Sequence, residues 1–200
     1  MATDSQTLAA YAEAAADYAR DWDEQPAPLD MYALLVAHFK PGPTADIGCG
    51  SGRDVAWLTG HGFETVGFDA SRELLAQARQ SHPGLPFIQA TLPALEGISD
   101  ASFQNVLCET VVMHLPPDQL IPAVRRLLAI LRPGGALYLS WRVTAVTERD
   151  KAERLYAAID KQLVLDQLAS GDEVVFDRFE ISASSGKPVQ RLVFHKALHA

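Results

Sequence analysis

Apolar residues recur in two modes along this chain, short continuous runs and three-or-four spacings, and their alternation predicts strands alternating with helices. Thr7 to Asp23 carries Leu8, Tyr11, Ala15, Tyr18 and Trp22 at helical spacing, an amphipathic helix stopped by Pro26 and Pro28. Leu29 to Phe39 reads as a second helix, ended by Pro41 and Pro43. A short apolar strand through Ala45 and Ile47 then runs into closely spaced glycines, and a helix follows from about Arg53 with Val55, Ala56 and Leu58 inward. Gly62 to Asp69 is a second strand, and Ser71 suits the N-cap of a helix over Arg72 to Gln80 with Leu74, Leu75 and Ala78 as its buried face. Leu85 to Gln89 is the third strand, and Phe103 to Cys108 the fourth, an apolar run of the kind parallel strands need when covered on both faces.

Pro122 would interrupt a helix begun at Pro117, so its regular part is expected over Ile121 to Leu131, before the Pro133-Gly134-Gly135 stop and a fifth strand over Ala136 to Trp141. Thr147 to Ala169, charged on one side with Leu155, Ile159, Leu163 and Leu168 on the other, predicts a long surface helix. Glu173 to Ser182 and Val189 to Lys196 flank a turn at Ser184 to Pro188 and predict a terminal hairpin. The sum is an α/β fold, a three-layer α/β/α sandwich on a mostly parallel sheet with an antiparallel edge.

Composition narrows the function. The chain has 200 residues, is 48% hydrophobic and carries a net charge of −8, which suits one domain with an ample core. No basic cluster interleaved with aromatics is present, so the electrostatic term that drives nucleic-acid binding is missing and a small-molecule partner is expected. No apolar run reaches the length of a membrane span and the first residues lack a basic and an apolar leader region, so a cytoplasmic protein is expected. The two cysteines, Cys49 and Cys108, make neither a disulfide framework nor a metal site.

The richest stretch is Asp46-Ile-Gly-Cys-Gly-Ser-Gly52. Gly48, Gly50 and Gly52 remove Cβ atoms where the chain bends and where a ligand can come against the backbone, and the following helix offers unpaired N–H groups. Asp69 ends the next strand roughly twenty residues on, where nucleotide-binding folds place a carboxylate on ribose hydroxyls. The dinucleotide fingerprint needs a third glycine where this chain has Arg53, so the spacing disfavours a nicotinamide cofactor, which stays as an alternative.

These residues, with Phe68-Asp69-Ala-Ser71 and Leu131-Arg-Pro-Gly-Gly-Ala-Leu137, resemble the best-marked motifs of class I S-adenosylmethionine-dependent methyltransferases, over roughly Pro41 to Trp141. The resemblance implies a Rossmann-like seven-stranded sheet in the order 3-2-1-4-5-7-6, with residues 1–40 as helices capping the pocket of a domain over 41–200. It implies S-adenosyl-L-methionine as cofactor and S-adenosyl-L-homocysteine as product. The Gly48, Cys49, Gly50, Ser51 and Gly52 backbone would approach the methionine part, Asp46 its amino group, and Asp69 with Ala70 and Ser71 the ribose. Ala90, Thr91 and Leu92 would contact adenine, and Cys108 and Glu109 would border the cofactor at the end of the fourth strand. The borrowed strand order sets Cys49 and Cys108 close together as free thiols beside the crevice.

Methyl transfer from a sulfonium has a good leaving group, so proximity and alignment supply most of the acceleration and no catalytic triad is needed. His114, just past the fourth strand, is the candidate base or substrate contact; the alternative is a histidine that ties its loop to backbone. Arg142, at the end of the fifth strand, can hold a carboxylate or phosphate, or form a structural ion pair. In the resembled family the first helix folds over cofactor and substrate, which would put Tyr11, Tyr18 or Trp22 on the pocket wall, the alternative being an aromatic stripe packed on the core; a small-molecule methyl acceptor is the expected partner and the oligomeric state is left open. A protein that binds S-adenosylmethionine without transferring its methyl group is the alternative from another class.

Overall fold

A parallel sheet must be roofed on both faces because its strands are apolar on both, and the chain meets that demand with helices on either side. The computed structural model describes residues 4–198, so the first three and last two positions lie outside the described residues. Three helices come first, α1 Ser5–Glu13, α2 Ala15–Glu24 and α3 Leu29–His38. The repeating part is β1 Pro43–Ile47, α4 Arg53–Gly60, β2 Glu64–Asp69, α5 Arg72–Ser81, β3 Phe87–Gln89, β4 Phe103–Cys108, α6 Leu120–Ile130 and β5 Leu131–Arg142. It is followed by β6 Glu148–Arg149, β7 Leu155–Tyr156, α7 Lys161–Leu165, β8 Glu173–Ile181 and β9 Pro188–His195.

Seven of the strands form one sheet in the order β3-β2-β1-β4-β5-β9-β8, the expected order once the small β6–β7 hairpin is set aside. All pairs through β5 are parallel, while β9 runs antiparallel to both β5 and β8. Side chains alternate across the sheet: Val106 and Cys108 pack with Leu120, Val124 and Leu127 of α6, whereas Leu107 packs with Met31 and Leu35 of α3. Among the described residues no helix is long and apolar enough to cross a membrane.

Two expectations about helices fail. The helix expected over Thr7 to Asp23 breaks at Ala14, which leaves helical backbone at φ −115°, ψ 28° and separates α1 from α2. The periodicity persists through the break, which is why the sequence does not show it. The larger correction is 147–169, where the long surface helix is absent. Arg154 folds back on Asp150, its backbone N–H donating to Oδ1 at 3.0 Å and its Nη2 to Oδ2 at 2.6 Å, which closes a turn between β6 and β7. Leu155 and Tyr156 then pair with Arg149 and Glu148 and are buried, and only Lys161–Leu165 is helical, capped by Asp160 accepting from Gln162 N. The fifth strand also begins earlier than expected, because Leu131 pairs with Phe103 ahead of the irregularity that absorbs the prolyl-glycyl stop.

Candidate functional site

At the carboxyl edge of the sheet the chain leaves β1 through a turn that only glycine can make. Gly48 has φ +81°, and a Cβ there would lie 2.2 Å from Val111 Cγ2; at Gly50, φ +52°, it would lie 2.7 Å from the Trp22 ring. The Gly48 and Cys49 N–H groups both donate to Phe68 O, at 2.7 and 3.0 Å, which pins the turn to β2. Asp69 finishes the stitching: its Oδ2 accepts from Gly50 N at 2.9 Å and its Oδ1 from Ser71 N at 2.8 Å. Ser71 in turn caps α5, its hydroxyl accepting from Leu74 N.

This end of the site is acidic. Asp46 is 3% exposed, and its Oδ2 has no partner among the described residues. Burial, reinforced by Asp54 and Asp69, pushes its carboxyl well above the usual carboxylate range. Burial also raises Asp69, against the pull of the Ser71 and Gly50 N–H groups, and Glu109, which accepts from the Ser140 hydroxyl. Asp54 accepts from Tyr32 OH at 2.8 Å and from Arg53 Nε at 3.1 Å. Four carboxylates thus face one guanidinium, an arrangement that favours a positively charged ligand.

The other end is cationic and aromatic. His114 Nδ1 lies 2.6 Å from Leu155 O, and a carbonyl only accepts, so Nδ1 carries the proton; the Nε2 lone pair then accepts from Tyr11 OH at 3.0 Å. Burial lowers the imidazole from 6.5 to about 4, so it is neutral at pH 7. Arg154 sits over the Tyr11, Tyr18 and Tyr156 rings, and Arg142 over Tyr156. Helix α1 closes this end as a roof: Thr7 Oγ1 accepts from Leu155 N at 2.8 Å, and Asp4 holds Arg149 bidentately at 2.7 and 2.9 Å. Both ends line a single cavity of about 240 Å³.

Residues 45–135 match the family described as "Methyltransferase domain", the same span that holds the glycine turn, Asp69 and the strands around them. That stretch of the chain is similar to methyltransferase domains, and the sheet order is consistent with class I S-adenosylmethionine-dependent methyltransferases. It is 28% identical over 160 residues to a malonyl-[acyl-carrier protein] O-methyltransferase of Enterobacter lignolyticus, covering 80% of this chain and 62% of that one. It is 33% identical over 127 residues to a trans-aconitate 2-methyltransferase of Methylobacterium nodulans, covering 62% of this chain and 47% of that one. The chain therefore spans about half to three-fifths of the length of these curated relatives. Its fold is similar to that of a Burkholderia thailandensis 1,6-didemethyltoxoflavin-N1-methyltransferase solved with S-adenosylhomocysteine, at TM-score 0.73 and 20% identity over 96% of this chain and 88% of that one.

Within this methyltransferase fold the cavity gathers the glycine-turn residues Gly48, Cys49, Gly50 and Ser51 with Asp69, Ala70 and Ser71 from the end of β2. Ala90, Leu92 and Glu109 also line it, as do Tyr11, His114 and Arg142. Asp46, Gly52 and Thr91 are not on its wall, and Tyr18 stands behind Tyr11, their ring centroids 4.9 Å apart. Cys108 is fully buried in the α6-side core while Cys49 packs with Val55, Leu75 and Phe87 of the other layer. Both thiols are free, but only Cys49 reaches the cavity wall, and the two pack in different clusters because the turn at Gly48, φ +81°, takes Cys49 out of the alternation of β1. Sequence reading missed Arg53 and Asp54, taken only as a helix start, and Arg154 and Tyr156, hidden inside the expected long helix. It also missed Thr110, a β-branched residue on the cavity wall at φ +54° with its N–H on Ser140, a strained position of the kind found at functional sites.

Proposed function

We propose that the chain binds S-adenosyl-L-methionine at the acidic end of the cavity and transfers its methyl group to a small-molecule acceptor held at the Tyr11–His114–Arg142 end. The observation that carries the reading is the division of one cavity into a glycine turn beside Asp54, Asp69 and Glu109 and a neutral histidine beside two arginines. The residues fit the cofactor: the raised carboxyls of Asp69 and Glu109 on the cavity wall gain favourable charge from an ammonium and a sulfonium, and the Gly48–Ser51 turn lines the same wall. When bound, the cofactor supplies a methyl group on a sulfonium that becomes a neutral thioether as the methyl leaves.

Asp69 is assigned to the ribose hydroxyls, the Gly48–Ser51 backbone to the methionine part, and Ala90 and Leu92 to adenine, while Asp46, Gly52 and Thr91 stand behind that wall. His114 offers the Nε2 lone pair that Tyr11 now occupies, and it accepts a hydrogen bond from an acceptor O–H or N–H that displaces the phenol, which orients the acceptor. Helices α1 and α2 serve as the cap that excludes water, while α3 covers the sheet and belongs with the domain, so the division falls before α3 rather than at residue 40. The acidic balance of the chain favours a small molecule over nucleic acid, and two reduced cysteines suit the cytoplasm.

Incubation with S-adenosylmethionine and panels of phenols, amines, thiols and carboxylic acids tests the reading. Acceptor-dependent release of S-adenosylhomocysteine is the expected result. Tight binding of the cofactor with no turnover on any class would leave a binding protein without transferase activity. Loss of turnover in His114→Ala at unchanged cofactor affinity is expected and separates its role from folding.

A further inference from the structure

The acceptor end holds one guanidinium too many for a neutral ligand. Arg154 is satisfied by Asp150, at 2.9 Å from Nε and 2.6 Å from Nη2, and Asp4 occupies Arg149. Arg142 lines the same cavity, yet among the described residues it has neither an ion pair nor a hydrogen-bonded partner; its guanidinium lies 5.0 Å from the centre of the Tyr156 ring. Its position is fixed by the sheet, because it ends β5 opposite Val189 of β9, and Val189 also lines the cavity. A ring beneath a guanidinium holds the planar fork in place while leaving its N–H groups free, which is the preorganised state for bidentate capture of a planar anion. The remaining wall, Tyr11, Trp22, Met113 and Tyr156, is aromatic or thioether and suits a flat or apolar body.

We propose that the methyl acceptor is an organic monocarboxylate with an apolar body, its carboxylate paired to Arg142 and its body against Tyr156 and Met113. The proposal rests on the methyltransferase reading for the position of the cofactor. A carboxylate matches the single uncompensated charge, since Asp150 already balances Arg154. A phosphate dianion would require a second free cation.

The test is titration calorimetry on the protein saturated with S-adenosylhomocysteine, using benzoate, phenylacetate, 4-hydroxybenzoate and hexanoate, each against its primary amide, with inorganic phosphate as a further probe. Acids are expected to bind roughly 10- to 100-fold more tightly than their amides. The gap should collapse to within about twofold in Arg142→Gln and persist in reduced form in Arg142→Lys, with S-adenosylhomocysteine affinity unchanged in both. Equal affinity for acid and amide, an acid preference that survives Arg142→Gln, binding of phosphate alone, or no binding of any acid would each overturn the proposal. Failure of S-adenosylhomocysteine itself to bind would overturn the methyltransferase reading instead.

Discussion

Asp69 does two jobs with one carboxylate, closing the glycine turn through Gly50 N–H and ordering the start of α5 through Ser71 N–H. Replacing it with alanine removes charge-assisted acceptors, so cofactor affinity should fall by about 1.5–3 kcal/mol in calorimetry, and an unchanged affinity would remove Asp69 from the site. His114 gives a sharper reading of its environment. Its imidazole lies below its ordinary range because burial disfavours the cation, so the unfolded chain binds the proton first as pH falls. The stabilising contribution is complete above about 6.5 and is lost on acidification towards about 4, a span worth roughly 3 kcal/mol at most. The raised carboxyls of Asp46, Asp69 and Glu109 act in the opposite sense, so overall stability is a blurred test. An NMR titration of the His114 ring is the clean one: a midpoint near 4 is expected, and one at 6 or above would show a solvated imidazole.

The roof is made of elements far apart in sequence. Helix α1 meets the β6–β7 hairpin through Thr7 with Leu155 and Asp4 with Arg149, and it meets the loop after β4 through Tyr11 and His114. At about 240 Å³ the cavity beneath the roof lies below the roughly 300–1,000 Å³ of ligand clefts. Thr7→Val keeps the shape and orphans the Leu155 N–H, a loss of about 1–3 kcal/mol. Hydrogen exchange should then quicken in residues 5–13 and 148–156 and leave β1, β4 and β5 unchanged; no change in the roof would mean the latch contributes nothing. The roof is also where the sequence was least legible. Strands β1, β2 and β4 announce themselves as apolar runs, and the turn after β1 as glycines, because local sterics decide both. The 147–169 segment has helical spacing, but its fate is set by Thr7, Met113 and His114, whose hydrogen bonds to residues 155–157 no local pattern records. Arg154 and Tyr156 reach the cavity wall unannounced for that reason, whereas Asp69, Gly48 and Gly50 on the same wall stand in a local pattern.

At the scale of the molecule the cavity is a dipole, with four acids around the glycine turn and free positive charge at Arg142. A cationic cofactor pulls the raised carboxyls back into ionisation, so binding S-adenosylmethionine should release protons and its affinity should rise with pH through the raised carboxyl range. Calorimetry from acid to neutral pH in buffers of different ionisation enthalpy measures that release, which should be smaller for S-adenosylhomocysteine because it lacks the sulfonium charge. The most direct test of the whole account is titration of the protein with S-adenosylmethionine, S-adenosylhomocysteine and NADH under one condition. Binding of both adenosyl compounds, weakened in Asp69→Ala and absent for NADH, is the predicted result; binding of NADH with neither adenosyl compound would contradict it.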